Sequence, residues 1–415
     1  MKINRAISII AGVIFVVCIV VTAINYSRTK NMFPQYKGPT SSTEKEGEKT
    51  IGKETKQKLV PSLTPIWTFD EIPDLIRAQI SRNGKWAVVA SENRIALLDL
   101  ENKTKLYDIS VGGDVRHVSI SDQGYAVAVC DWPDPKPIKV LSVTKGLIAE
   151  LSEVPIEGGR HGYRPIWRDA VISPSGNSFY VDGFVKFNVP NTIVWNNASP
   201  PLSSNPNEDV CNWLAVSGNG EYIVCNSSLY SSSPTLISSD GRLLWKSTYK
   251  NDVINDYHDI AISDDASVIV YDTMTEVTIY SKDSSSPLIR LPYYGPVDVS
   301  DDGKIIVVGH YDRTNHQGKL FVFENLSFNN PLVINFPRHN IAPGDIAISS
   351  DGGVIAVSTG LASDSVLAIY DRTGKLKYES VTPANELSMS SDGKTLGCLS
   401  SPDGNHFKFL LYNIQ

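Results

Sequence analysis

Three features of the chain predict an all-β fold, a propeller of eight four-stranded blades. An apolar–Ser–x–x–Gly element occurs eight times, the copies are evenly spaced, and a spare strand stands at the start where the last copy lacks one. The serines are Ser81, Ser121, Ser173, Ser217, Ser263, Ser300, Ser349 and Ser390, at intervals of 40, 52, 44, 46, 37, 49 and 41 residues. Their mean of about 44 matches the ~40–45 residues of one blade. Seven blades is the alternative if one copy is degenerate.

Each element follows from the pattern. A short apolar strand precedes every serine and another follows, as at 354–357. The Asp/Asn-Gly pair between them supplies the positive-φ turn that folds one strand onto the other. Ala266 stands where the other copies have Gly, so that turn is expected to be strained. Third and fourth strands follow, at 94–98 and 106–109 in the first copy and at 366–370 and 376–378 in the seventh. After Ser390 only 25 residues remain, enough for a strand at 407–411 but not for a fourth. Residues 65–69 (Pro-Ile-Trp-Thr-Phe) supply it and close the ring, which removes open sheet edges.

The run Asp240-Gly241-Arg242-Leu243-Leu244-Trp245 looks like the aromatic fourth strand of quinoprotein repeats, and Trp67 and Trp195 hold similar places. With the Ser-x-Asp-Gly hairpins, residues 61–415 resemble the quinoprotein-like and WD-repeat-like bacterial and archaeal propellers. The WD signature itself is mostly absent: Asp99 and Asp371 end third strands, but no Trp precedes them. The resemblance implies a fold, and this architecture hosts enzymes, binders and scaffolds alike. Quinone-dependent dehydrogenases of that group carry an adjacent-cysteine disulfide, and this chain has no Cys-Cys, so that chemistry is disfavoured and no cofactor is expected.

Ahead of the repeats lie a short tail (1–5), an uncharged run of 19 residues (6–24) and a segment rich in Pro, Gly, Ser, Thr, Lys and Glu (25–60). Nineteen residues at 1.5 Å each just span a hydrocarbon core of about 30 Å, so 6–24 reads as a transmembrane signal-anchor helix. The rival is a cleaved signal peptide, whose apolar region is usually shorter, about 7–15 residues. Residues 25–60 cannot bury a core and read as a flexible stalk. A very short N-terminal tail favours export of everything beyond the span, placing the propeller on the extracytoplasmic side of a cell membrane.

Charge divides the same way. The chain is −7 overall, but residues 1–60 are +6 and the remainder is −13. A globular part that acidic is a poor partner for nucleic acid. Five cysteines form no CxxC pair. Cys211 and Cys225 flank one hairpin at nearly opposed positions and are candidates for a cross-strand disulfide, or equally for two core thiols. Four Asn-x-Ser/Thr sequons (Asn102, Asn197, Asn226, Asn325) fit an exported domain.

Two groups of residues are candidates for function. The residue four before each motif serine begins the innermost strand at the mouth of the channel: Arg77, His117, Asp169, Trp213, Asp259, Pro296, Asp345 and Glu386. The carboxylates suit a cation, and Arg77 with His117 suit an anionic part. The rival reading is that each carboxylate hydrogen-bonds the neighbouring blade, as repeated buried polar groups usually do. The second group lies on the face with the long loops (131–137, 153–165, 198–209, 310–318, 337–344): Trp132, His161, Tyr163, Arg164, His258, His310, Asp312, Arg313, His316, Arg338 and His339. His310, Asp312 and His316 sit close enough in sequence to begin a metal site, though loop histidines are more often solvated. No nucleophile elbow, zinc-protease or phosphate-loop motif is present. The expectation is a membrane-anchored, noncatalytic platform whose long-loop face binds a protein or envelope component. The alternative is a small-ligand binder, hydrolase or lyase acting at the channel mouth.

Overall fold

The hairpins form because each motif serine ties its own turn. Ser300 Oγ donates to Asp302 Oδ1 at 2.8 Å and accepts the Ile305 N–H at 2.9 Å, while the Gly303 N–H reaches the Ser300 carbonyl. The serines of the seventh and eighth copies repeat these contacts. The serine and the +2 Asp or Asn thus satisfy the backbone donors of the reversal, and Gly takes the left-handed residue. Ala266 adopts the same turn at φ +55°, the strained conformation its position predicts.

The computed structural model describes residues 60–130, 137–151, 169–181, 185–196, 211–227, 233–247, 249, 259–273, 275–339, 342–359, 365–401 and 406–415. Strands form eight separate antiparallel four-stranded sheets. Blades 1 to 7 are residues 77–110, 115–151, 170–196, 211–246, 260–291, 297–339 and 345–380. Blade 8 takes three strands from 384–413 and its outer strand from Trp67–Phe69, which pairs with Lys408–Asn413 through Trp67–Leu411 and Phe69–Phe409. The eighth blade is therefore closed by the N-terminal strand, as the repeat count requires.

The core lies between blades. Val88 and Ala90 of blade 1 pack with Val118 and Ile120 of blade 2, and Phe69, Leu75, Ala78 and Leu399 fill the seam between blades 8 and 1. Third and fourth strands fall where the sequence places them, and Trp245 on the outer strand of blade 4 is buried, donating its indole N–H to the Lys282 carbonyl at 3.0 Å. The segment 310–318, read from sequence as a loop, is mostly strand: Ile305–Asp312 and Gln317–Glu324 run on as a tall hairpin turning at 313–316. No helix among the described residues is long and apolar enough to cross a membrane; the expected span at 6–24 lies outside them, with the tail and nearly all of the stalk.

Candidate functional site

An innermost strand has a ladder partner on one side only, so alternate N–H groups face the neighbouring blade unpaired. Side chains reach one blade forward to meet them. Asp169 Oδ2 accepts the Leu214 N–H at 2.6 Å, Asp259 Oδ2 the Val297 N–H at 2.9 Å and Asp345 Oδ2 the Leu387 N–H at 2.6 Å. A second row does the same two residues further along each strand. Gln79 Oε1 accepts the Ile120 N–H (2.8 Å), Ser119 Oγ that of Ile172 (3.3 Å), Asp298 Oδ2 that of Ile348 (2.9 Å) and Ser388 Oγ that of Ile80 (3.1 Å). Position-specific acidity around the channel thus has a structural occupation. Asp169 is buried, and Asp259, Asp298 and Asp345 are half-buried. Burial pushes the carboxyls of Asp259 and Asp345 up, and that of Asp298 to about 7, aided by the charges of neighbouring ring acids in the last two.

Four predicted mouth residues come together on successive blades 8, 1, 2 and 3. His117 Nδ1 lies 3.0 Å from Asp169 Oδ1, and Arg77 Nη1 lies 3.4 Å from Glu386 Oε1. Arg77 also donates from Nε to the Arg116 carbonyl (2.6 Å) and from Nη1 to the Ile76 carbonyl (2.7 Å). His117 follows a bulge at Arg116, because Val115 faces Cys130 while His117 faces Val129. Glu386 sits in a second bulge at φ +50°, an unusual conformation for a long side chain. Burial opposes charging His117, but the charge and hydrogen bond of Asp169, with the charge of Glu386, outweigh it and raise the imidazole pKa. Burial likewise raises the Glu386 carboxyl. Trp213 is half-buried at a third bulge, in blade 4, and Pro296 is half-buried in blade 6.

The opposite, hairpin-side mouth holds a cluster that the sequence reading missed. Backbone N–H groups one after the motif serine donate to the equivalent carbonyl of the next blade, from Asp264 to Asp301, Asp301 to Ser350, Ser350 to Ser391 and Ser391 to Arg82. Inside this girdle Arg82 of blade 1 reaches blades 5 and 6. Its Nη1 lies 3.4 Å from Asp264 Oδ1, its Nη2 pairs with Asp301 Oδ2, and its Nε donates to Ser391 Oγ at 3.3 Å. A ring of +1 residues containing one Arg, three Asp (Asp122, Asp264 and Asp301) and Gly218 was the available signal.

On the long-loop face the tall hairpin of blade 6 is organised from beneath. Asp312 accepts from Thr314 N–H, Asn315 N–H and Nδ2, and pairs with Lys319 Nζ at 2.8 Å. The Lys319 hydrogen bond leads in holding its carboxyl well below the usual range. His310 packs edge-on against Tyr293 and Tyr294 and accepts the Tyr294 N–H at 3.4 Å; burial pushes its imidazole pKa down. The Arg313 guanidinium lies 5.5 Å over the Tyr294 ring, and exposed His316 approaches Tyr311 Oη at 3.4 Å. Asp312 is thus committed to the turn, and among the described residues no group of three or more His, Cys, Asp or Glu is gathered for a metal ion. Trp132, His161, Tyr163, Arg164 and His258 lie outside the described residues, as do the side chains of Arg338 and His339.

Two other readings meet the structure. Cys225 is disulfide-bonded, whereas Cys130 and Cys398 are buried and not in disulfides. Across the hairpin Cys211 faces Ser227 and Cys225 faces Leu214, with a bulge between, so the two cysteines are offset rather than nearly opposed; the Cys211 side chain lies outside the described residues. Asn226 is buried and unsuited to carry a glycan, while Asn102 and Asn325 are exposed on turns of the hairpin face; Asn197 lies outside the described residues.

The architecture defines an eight-bladed β-propeller. No family model matches the chain, and no curated relative matches it. Solved structures are similar in fold. The computationally designed Ika8 protein superposes with a TM-score of 0.57 at 13% identity, covering 86% of this chain and 99% of the other. The β-propeller domain of Cps50 (Swd1) from Myceliophteria thermophila superposes with a TM-score of 0.51 at 11% identity, covering 85% and 100%.

Proposed function

We propose that this protein is a membrane-anchored, exported and noncatalytic propeller whose long-loop face binds a protein or cell-envelope partner. The observation that carries this reading is the blade 6 hairpin. It presents Arg313 and His316 to solvent above Tyr294 and His310, on a turn fixed by Asp312. Arginine and aromatic side chains held in place are the composition of binding hot spots, because little ordering remains to be done on association. Export is supported by the apolar run at 6–24 and by the disulfide at Cys225, for which we propose Cys211 as partner, since such bonds persist in oxidising compartments.

The test is to crosslink the intact protein in its own membranes and compare it with a variant carrying Arg313→Glu and His316→Ala. A stoichiometric partner retained by the native protein and lost from the variant is the expected result. Equal capture by both, or capture by neither, overturns the reading.

A further inference from the structure

We propose that Arg77 and His117 form a binding site for a small oxyanion, a carboxylate or a phosphate, at the loop-side mouth of the channel. The site is independent of the blade 6 hairpin. The carboxylates of Asp169, Asp259, Asp298 and Asp345 each accept a backbone N–H from the next blade. Arg77 is anchored through Nε and Nη1 to two carbonyls, with Glu386 at 3.4 Å. Its Nη2 donors meet no acceptor among the described residues, and the side chain is 36% exposed. His117 is fixed through Nδ1 by Asp169, itself held by the Leu214 N–H, so Nε2 is the free nitrogen of a side chain 29% exposed.

Two cationic donors on adjacent strands, each pre-oriented by a second contact, suit an oxyanion that can accept from both. Arg77 donates to the carbonyl of Arg116, next to His117, so the two side chains are neighbours and the Arg77 charge opposes that of His117. An anion between them relieves this repulsion. The bulge at Arg116 is the backbone feature that displaces His117 from the regular register. On the other side of the ring the Arg82 cluster occupies the axis, so a ligand enters from the loop face.

Protonation sets the donor count. Neutral His117 with its proton on Nδ1, the nitrogen facing Asp169, offers Nε2 only as an acceptor, whereas the imidazolium donates from both nitrogens. The groups facing it from neighbouring blades are Asp169 and Glu386, which favour the imidazolium, and Arg77, which opposes it. Anion binding therefore strengthens as pH falls through the raised imidazole pKa.

The experiment titrates the full chain with inorganic phosphate and, separately, with acetate, by calorimetry from about pH 6 to about pH 9, a range that runs well above an ordinary imidazole pKa because this one is raised. Saturable binding of at least one probe, tighter at the lower pH, is expected, and which probe binds identifies the source. Arg77→Gln weakens it by about tenfold or more, the worth of a charge-assisted hydrogen bond, and His117→Gln removes its pH dependence. Should either variant fold poorly, ring-labelled histidine in the native chain gives the same answer, because the His117 Nε2 resonance must shift on saturation. No saturable binding of either probe, binding unchanged in both variants, or an unmoved His117 resonance would falsify the site.

Discussion

At the scale of single residues, the channel acids show how one position serves packing and titration together. Asp298 accepts the N–H groups of Val299 and Ile348, yet burial lifts its carboxyl to about 7. A carboxyl whose pKa is raised on folding binds a proton in the native state that the unfolded chain has already released. Its contribution to stability is full below the ordinary Asp pKa of about 4 and is lost as pH rises through about 7. Asp259 and Asp345 act in the same direction. The turn carboxylates Asp302, Asp351 and Asp392 have lowered pKa values and lose their contribution only when pH falls below the ordinary range, so the two windows do not overlap. Thermal stability is therefore predicted to decline between about pH 5 and about pH 8, with Asp298 contributing on the order of 2 kcal/mol. Asp298→Asn should be less stable at low pH, because an amide nitrogen then faces one of the two N–H donors, and should show a flatter decline. Melting curves across that range decide it; an unchanged slope would remove Asp298 as its source. Asp169, Asp259 and Asp345 were legible as a ring because they share one offset from the motif serine. Asp298 was not, because it stands two residues nearer the serine, where the other blades mostly carry small side chains.

At the scale of elements, the hairpins could be read from sequence because their chemistry is local: serine, the +2 Asp or Asn, and Gly lie within four residues of one another. Cross-axis contacts have no such spacing. Arg82 meets Asp264 and Asp301 from 182 and 219 residues away, and only the ring geometry makes them neighbours. For the same reason the aromatic support of His310, which comes partly from Tyr293 and Tyr294 before blade 6, was not foreseen. Gly218 belongs to this cluster, since a Cβ there would collide with Asp264 Oδ1 and Arg82 Nη1. Gly218→Ala is thus predicted to displace the guanidinium and lower the melting temperature. Arg82→Ala leaves Asp264 facing Asp301, whose charge adds to burial in raising the Asp264 carboxyl. The loss should accordingly be larger at about pH 8 than at about pH 5, since a raised carboxyl takes up its proton earlier than an ordinary one as pH falls. Equal losses at both pH values would mean that packing, not charge, is what Arg82 supplies.

At the scale of the whole molecule, closure rests on three residues far from the rest of their sheet. Trp67–Phe69 covers the outer edge of Lys408–Asn413, and Phe69 is buried with Ile72 and Leu75 in the seam between blades 8 and 1. Just upstream, Leu63 is also buried and its N–H donates to the Glu379 carbonyl on blade 7. The ring is thereby fastened by a segment that begins where the positively charged stretch of 1–60 ends. Two truncations separate these roles. Removing residues 1–60 keeps every closing contact and is predicted to leave a cooperative melt near that of the intact chain. Removing residues 1–72 strips the outer strand and three buried side chains, Leu63, Phe69 and Ile72. Burial of each large apolar side chain stabilises by about 1.5–3 kcal/mol, so their joint loss approaches the whole stability of a typical domain. The strand Lys408–Asn413 would then present an uncovered edge, which favours association between chains. The longer truncation should elute as aggregate and lose its sharp transition. If it instead melts cooperatively as a monomer, the eight blades close through their inner strands alone and the N-terminal strand is only a cover.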